Sequence, residues 1–166
     1  VGQTLAVVGA TGAVGEEILA ILDQRGTPVD ELRLFASPRS AGRTIVFRGQ
    51  DICVQELSAE GFRGVDIALF SAGGACSKDW APIAAEAGAV VIDNSSAFRM
   101  DDSVPLVIPE VNPEAAREHK GIIANPNCTT IILLVALAPI HRRYGIKRGI
   151  ISTYQAASGA GARAMK

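Results

Sequence analysis

The stretch "VVGATGAVGEEIL", Val7 to Leu19, sets Gly9, Gly12 and Gly15 between an apolar run and the start of a helical pattern. This is a G-x-x-G-x-x-G spacing, a variant of the dinucleotide fingerprint. Glycine permits a tight strand-to-helix turn and lets backbone amides approach a pyrophosphate at the positive end of a helix. The amides of Thr11, Gly12, Ala13 and Val14 stand where such a phosphate would lie, with Gly9 at the turn itself. The competing explanation is a strand–helix turn that is merely closely packed. A position near the start of the chain, after one strand and before one helix, favours cofactor binding.

Outward from this turn, strand-like and helix-like segments alternate. "TLAVVG" (Thr4 to Gly9) reads as a buried strand, and Glu16 to Arg25 as a helix with Ile18, Leu19, Ile21 and Leu22 on one side. "ELRLFAS" (Glu31 to Ser37) is a second strand. "TIVF" and "DICVQEL" form a pair about an Arg48-Gly49-Gln50 turn. "VDIALFSAGG" (Val65 to Gly74), a helix over Lys78 to Ala87, and "AVVIDNSS" (Ala89 to Ser96) follow. Near-continuous apolar strands separated by helices predict an α/β fold, a mostly parallel, doubly wound, Rossmann-like sheet covered on both faces. "RGIISTYQAASGAGARAMK" predicts a further strand and a small-residue loop, and is expected to open a second domain.

Composition narrows the function. The chain has 166 residues, 48% hydrophobic, with a formal net charge of -1. That balance offers no attraction to nucleic acid or an anionic membrane. No apolar run approaches the ~18 residues of a spanning helix, and Val1-Gly2-Gln3-Thr4 carries no basic secretory region. Cys53, Cys76 and Cys128 are odd in number and far apart, and His119 and His141 lie outside any ligand spacing. Neither a disulfide framework nor a metal site fits, and a reducing, cytoplasmic compartment is the default.

The end of the second strand narrows the cofactor. NAD-binding folds place an acid there, against the ribose 2′-hydroxyl. Here the sequence is "ASPRSAG", with Ser37, Arg39 and Ser40 and no carboxylate. A guanidinium with two hydroxyls suits a 2′-phosphate, so NADP is the expected cofactor. Short-chain dehydrogenases and epimerases share the glycine spacing but use Tyr-x-x-x-Lys; Tyr144 and Lys147 stand one residue too close, so that reading ranks low.

Cys128 is the candidate nucleophile. Asn125-Pro126-Asn127 reads as a turn that launches a helix over Thr129 to Ala138, with Pro139 kinking or ending it. A thiol at a helix start faces unpaired amides and the positive end of the dipole, which favour the thiolate. Cys53 and Cys76 are better suited to act as small buried hydrophobes.

In order along Val7 to Gly161, the chain carries "VVGATGAVG", "ASPRSAG", "FSAGG", "IDNSSAFRM", "PLVIPEVN", "GIIANPNCTT" and "TYQAASGAG". In these it resembles the N-terminal half of bacterial aspartate-semialdehyde dehydrogenases. Acetylglutamyl-phosphate reductases, which are related, have a different, glycine-containing cysteine motif. The resemblance implies NADP-dependent interconversion of L-aspartyl 4-phosphate and L-aspartate 4-semialdehyde with inorganic phosphate, in lysine, threonine and methionine biosynthesis. It implies a thioester on Cys128, phosphate binding by Arg99, and a substrate contact from Gln155. Ser158 and Gly159 match a loop on the nicotinamide side of the cofactor, and Ser71, Gly73 and Asn94 sit at strand ends, close to it. It divides the chain into a cofactor domain over 1–127 and the start of an α+β catalytic and dimerisation domain over 128–166. The family forms dimers or tetramers through that second domain.

The family's acid–base histidine and its carboxylate-binding arginine have no counterpart here. His141, in "HRRY", reads as a helix-end residue rather than a base. The expectation is therefore a chain of 166 residues that is incomplete and does not turn over by itself. The alternatives are a non-catalytic NADP-binding module and, ranked lower, an epimerase-like enzyme.

Overall fold

The computed structural model describes residues 2–156. Among them are strands β1 (Gln3–Val8), β2 (Val29–Ala36), β3 (Thr44–Phe47), β4 (Gln50–Glu56), β5 (Ile67–Phe70), β6 (Val90–Asp93) and β7 (Ile122–Ala124), and helices α1 (Ala13–Gln24), α2 (Gly74–Glu86) and α3 (Cys128–Tyr144). The strands form one sheet in the order β3-β4-β2-β1-β5-β6-β7. Every pairing is parallel except the β3–β4 hairpin at the edge. Without β3, the order is that of a dinucleotide-binding sheet, reversing direction between β1 and β5. Ligands lie in the crevice at such a reversal, outside the carboxyl ends of the strands. The fold is Rossmann-like, as the alternating pattern predicts.

Alternate residues of β1 serve opposite faces of the sheet. Ala6 and Val8 join Phe35, Phe62, Phe70 and α2 residues Ala81 and Ala84 in one core. Val7 joins Leu34, Val54 and α1 residue Leu19 in the other. On α1, Gly15 and Leu19 are buried, with Ile18 and Leu22 packed beside them, a 3.6-residue stripe. On α2 the buried positions are Ser77, Ala81 and Ala84, small side chains that let the helix sit close to the sheet. Phe62 centres an aromatic group, with ring centroids 5.3 Å from Phe35, 6.0 Å from Phe70 and 6.4 Å from Trp80. Truncating such a ring to alanine costs about 3–5 kcal/mol.

Several expectations need correction. α1 and α2 begin earlier than their apolar patterns indicate, at Ala13 and Gly74, because glycine-rich turns carry the first helical residues. The three-residue β7 is too short to show periodicity, yet it completes the parallel sheet against β6. Pro139 does not end α3; the helix runs through it to Tyr144. Termination comes from Gly145, in the left-handed region at φ 69°, whose amide donates to the carbonyl of His141 at 2.8 Å. Residues 145–156 contain no strand, contrary to the expectation for "RGIISTYQ". β-branched residues make a strand only where a neighbour supplies hydrogen bonds, and none pairs here among the described residues.

Cys53 is exposed rather than buried. Val54 faces the core from β4, so the pleat turns Cys53 outward, opposite Thr44 of the edge strand. Cys76 does pack against the core containing Phe62. Burial, followed by the charges of Asp79 and Asp93, pushes its thiol pKa up.

Candidate active site

The glycine turn forms the floor of the crevice. Gly9 has φ +90°, and a Cβ there would lie 2.5 Å from the carbonyl oxygen of Ser71 at the end of β5. The amides of Gly9 and Ala10 both donate to the carbonyl of Phe35, at 2.8 and 3.1 Å, so β1 and β2 end together. A side chain on Gly15 would run into the Gly9 carbonyl and the Ala10 backbone. Gly12 is the N-cap of α1 and offers no side chain to its first-turn amides. Those amides have no intrahelical partner, and Gly12, Ala13 and Val14 are exposed while Thr11 is half-buried. A turn with no Cβ at Gly9, Gly12 and Gly15, opening on the free first-turn amides of α1, fits a dinucleotide pyrophosphate.

At the end of β2, Ser37 and Arg39 are exposed and Ser40 is half-buried. The Ser40 amide donates to the Ser37 carbonyl at 2.8 Å, closing a turn that presents the arginine outward. Arg39 forms no salt bridge among the described residues. Across the crevice, the Ser71 amide donates to Val8 at 2.8 Å, and Gly73, at φ +90°, is the N-cap of α2.

The ends of β6 and β7 carry the remaining chemistry. Asn94 accepts a hydrogen bond on Oδ1 from Asn125 Nδ2 at 2.9 Å. Arg99 is half-buried and donates through Nε to the Asn125 carbonyl at 2.9 Å and through Nη2 to the Asn94 carbonyl at 3.0 Å. It is no loose surface arginine paired with Asp101, which instead accepts from the Ser103 amide and hydroxyl. Those two bonds hold the Asp101 carboxyl below its ordinary range. Three residues beyond Asn125, Cys128 is the first residue of α3 and is exposed. Asn127 caps the helix, its Oδ1 accepting from the Thr129 amide at 3.0 Å and from the Thr129 hydroxyl. The thiol is thus held at a capped helix start, open to solvent.

A family model described as "Semialdehyde dehydrogenase, NAD binding domain" matches residues 4–119. The chain belongs to the semialdehyde dehydrogenase family. Among relatives of this family, the aspartate-semialdehyde dehydrogenase of Prochlorococcus marinus is 58% identical over 162 residues, covering 98% of this chain and 47% of that protein. The crystal structure of aspartate semialdehyde dehydrogenase II complexed with ASA from Vibrio cholerae superposes with a TM-score of 0.95 at 54% identity, covering 99% of this chain and 50% of that one. Aspartate semialdehyde dehydrogenase with NADP from Candida albicans superposes with a TM-score of 0.72 at 29% identity, covering 87% of this chain and 48% of that one. The chain thus spans about half the length of these semialdehyde dehydrogenases.

The sequence-predicted residues fall into three groups. Gly9, Thr11, Gly12, Ala13, Val14, Ser71 and Gly73 surround the crevice, with Ser37, Arg39 and Ser40 at the end of β2. Asn94, Arg99 and Cys128 follow the ends of β6 and β7, where the bond from Arg99 to the Asn125 carbonyl joins the loop after β6 to the segment leading to Cys128. Gln155 stands apart, exposed in a stretch without regular structure and in none of the side-chain hydrogen bonds of the described residues. Ser158 and Gly159 lie outside the described residues. His141 is exposed in the last turn of α3 and accepts from the Ile146 amide, a capping contact. Sequence reasoning passed over Asn125 and the fully buried Asp93. The signal for Asp93 was present: a carboxyl group closing the apolar run "VVID" has no reason to be there unless donors meet it.

Proposed function

We propose that the chain provides the NADP-binding part and the nucleophile of an enzyme that interconverts L-aspartyl 4-phosphate and L-aspartate 4-semialdehyde. The observation that carries this reading is the exposed Cys128 at the start of α3, three residues from the Asn125 carbonyl that holds Arg99. A nucleophile and a phosphate-gripping cation are thereby built on adjacent strand ends. In the biosynthetic direction the Cys128 thiolate attacks the acyl phosphate, forming a thioester and expelling phosphate toward Arg99. A guanidinium receives a phosphate through paired hydrogen bonds. Bound NADP supplies or accepts the hydride that interconverts thioester and aldehyde. The family resemblance assigns Gln155 a substrate contact.

The crevice would hold the cofactor, with the Gly12 to Val14 turn binding its pyrophosphate and Arg39, Ser37 and Ser40 its 2′-phosphate. Ser71, Gly73 and Asn94 would hold the rest of its length, and the family resemblance assigns Ser158 and Gly159 to its nicotinamide side. Residues 1–127 form the cofactor domain, and 128–166 belong to a catalytic domain that also mediates dimers or tetramers. The apolar helix α3 supports this division, since none of its residues is buried. No base stands beside Cys128 among the described side-chain contacts, so the 166-residue chain alone is expected not to turn over. The site lies in a cytoplasmic enzyme with a small-molecule substrate and inorganic phosphate as its partners.

The test is phosphate-dependent reduction of NADP with L-aspartate 4-semialdehyde by these residues joined to the catalytic half that the reading requires, the 166 residues alone showing none. Trapping a mass increase on Cys128 equal to the acyl group supports the thioester. Turnover that survives Cys128→Ala, or that needs no phosphate, overturns the reading.

A further inference from the structure

We propose that Asp93 is a positioning residue for the phosphate subsite, aiming the Arg99 guanidinium through Ser95; this rests on the phosphate role proposed for Arg99. Asp93 closes β6 and is completely buried. Its Oδ1 accepts from the Ser77 hydroxyl at 2.7 Å and the Ser95 amide at 3.1 Å, and its Oδ2 from the Ser95 hydroxyl at 2.7 Å. No arginine or lysine pairs with it among the described residues. Holding a carboxyl group in a core without a cation is costly unless its hydrogen bonds achieve something a hydrophobic residue could not.

Those bonds shape the loop that follows. The Ser95 hydroxyl, its proton directed to Asp93, accepts from the Ala97 amide at 3.0 Å. Both the amide and the side chain of Ser95 are therefore fixed, and the backbone is turned just before Arg99. That turn brings the guanidinium back onto the Asn94 carbonyl, one residue from Asp93, and across to the Asn125 carbonyl. Two of its donors are engaged in orientation, and its other donors make no hydrogen bond among the described residues, which leaves them for an anion. Asp93 touches no reacting atom; it acts by setting where that fork points.

An asparagine at position 93 keeps the shape but presents an amide donor where the Ser95 hydroxyl now donates, which disrupts the turn. The experiment is steady-state kinetics on the intact protein, varying phosphate and NADP separately, for Asp93→Asn, Ser95→Ala, Ser95→Thr and Arg99→Ala. Asp93→Asn and Ser95→Ala are expected to raise the KM for phosphate roughly tenfold, with the KM for NADP changed less than about twofold. Ser95→Thr, which keeps the hydroxyl, is expected to restore the phosphate KM. Should Asp93→Asn fail to fold, the two Ser95 variants carry the test. If Arg99→Ala weakens phosphate use but the Asp93 and Ser95 variants leave it intact, or shift both KM values equally, the positioning role is overturned and the phosphate role stands. A wild-type protein that includes the catalytic half and still lacks phosphate-dependent turnover removes the functional reading and this inference together.

Discussion

Arg99 Nε donates to the carbonyl oxygen of Asn125 at 2.9 Å, linking the loop after β6 to the segment that delivers Cys128. The second bond, from Nη2 to Asn94, makes the guanidinium a brace between two strand ends. Lysine can supply charge here but cannot span both carbonyls with a planar fork. Each hydrogen bond to a charged group contributes about 1.5–3 kcal/mol. Arg99→Lys is therefore expected to lower phosphate-dependent kcat/KM by roughly 10²-fold. Steady-state assays over a range of phosphate concentrations check this, and an unchanged phosphate dependence would remove Arg99 from the site.

A nucleophilic Cys128 makes a different demand. Cys128→Ser keeps the size of the side chain and the Asn127 cap, so the fold and NADP affinity should survive. A serine hydroxyl is a far weaker nucleophile than a thiolate, and turnover is expected to fall by roughly 10³-fold or more. Fluorescence titration with NADPH, beside the turnover assay, separates lost chemistry from lost binding.

The cysteines should also separate by pH. Burial and the neighbouring Asp79 and Asp93 charges raise the pKa of Cys76. A raised pKa leaves less thiolate at any given pH, so alkylation of Cys76 should rise only at higher pH than that of a free model thiol. Cys53 and Cys128 are both exposed. Peptide mapping after brief iodoacetamide treatment near neutral pH should find Cys76 the least modified; equal labelling of Cys76 and Cys53 would contradict the burial argument.

What the chain discloses about itself depends on how local the cause is. The glycine turn is visible because φ +90° at Gly9 and the close approach to Ser71 leave one residue type possible. The turn that launches α3 is visible because its capping bond, from the Thr129 amide to Asn127, spans only two residues. Asn125 was missed because its bond to Asn94 crosses 31 positions, and only strand pairing brings the two together. The strand expected near Ile150 failed for the converse reason: its composition suits a sheet, and no neighbouring strand is present among the described residues. Of the two outcomes open at Pro139, a kink or an end, the second does not occur, because a missing amide weakens a helix without deciding its end, which Gly145 does.

Arg39 bears on cofactor choice. It projects from the turn after β2, exposed and free of salt bridges among the described residues, and the turn over residues 37–42 itself carries no carboxyl group, the nearest by strand register being Glu56 at the end of β4. Arg39→Ala is expected to weaken NADP binding roughly 10-fold to 100-fold by removing charge-assisted bonds to the 2′-phosphate. NAD binding should hardly change, since NAD has no phosphate there. Calorimetric titration of both cofactors against wild type and variant reads the difference directly, and an equal loss for both would mean that Arg39 supports the loop rather than the phosphate.

Gly15 gives the sharpest test of the packing beneath the crevice. It is buried, and a Cβ would meet the carbonyl of Gly9 and the Ala10 backbone, neither of which can rotate aside. Alanine normally favours a helix over glycine by about 1 kcal/mol. Here overpacking costs about 1–3 kcal/mol, so crowding offsets or exceeds the propensity gain. Gly15→Ala should therefore lower Tm by a few degrees, at roughly 2–4 °C for each net kcal/mol in a chain of this size. It should also weaken cofactor binding, because α1 must move away from β1 and take the Ala13 and Val14 amides with it. Thermal melts with and without NADP measure both effects. A variant more stable than wild type, with undiminished cofactor affinity, would show that the helix start has room to yield and that the close packing of this turn does not set the cofactor site.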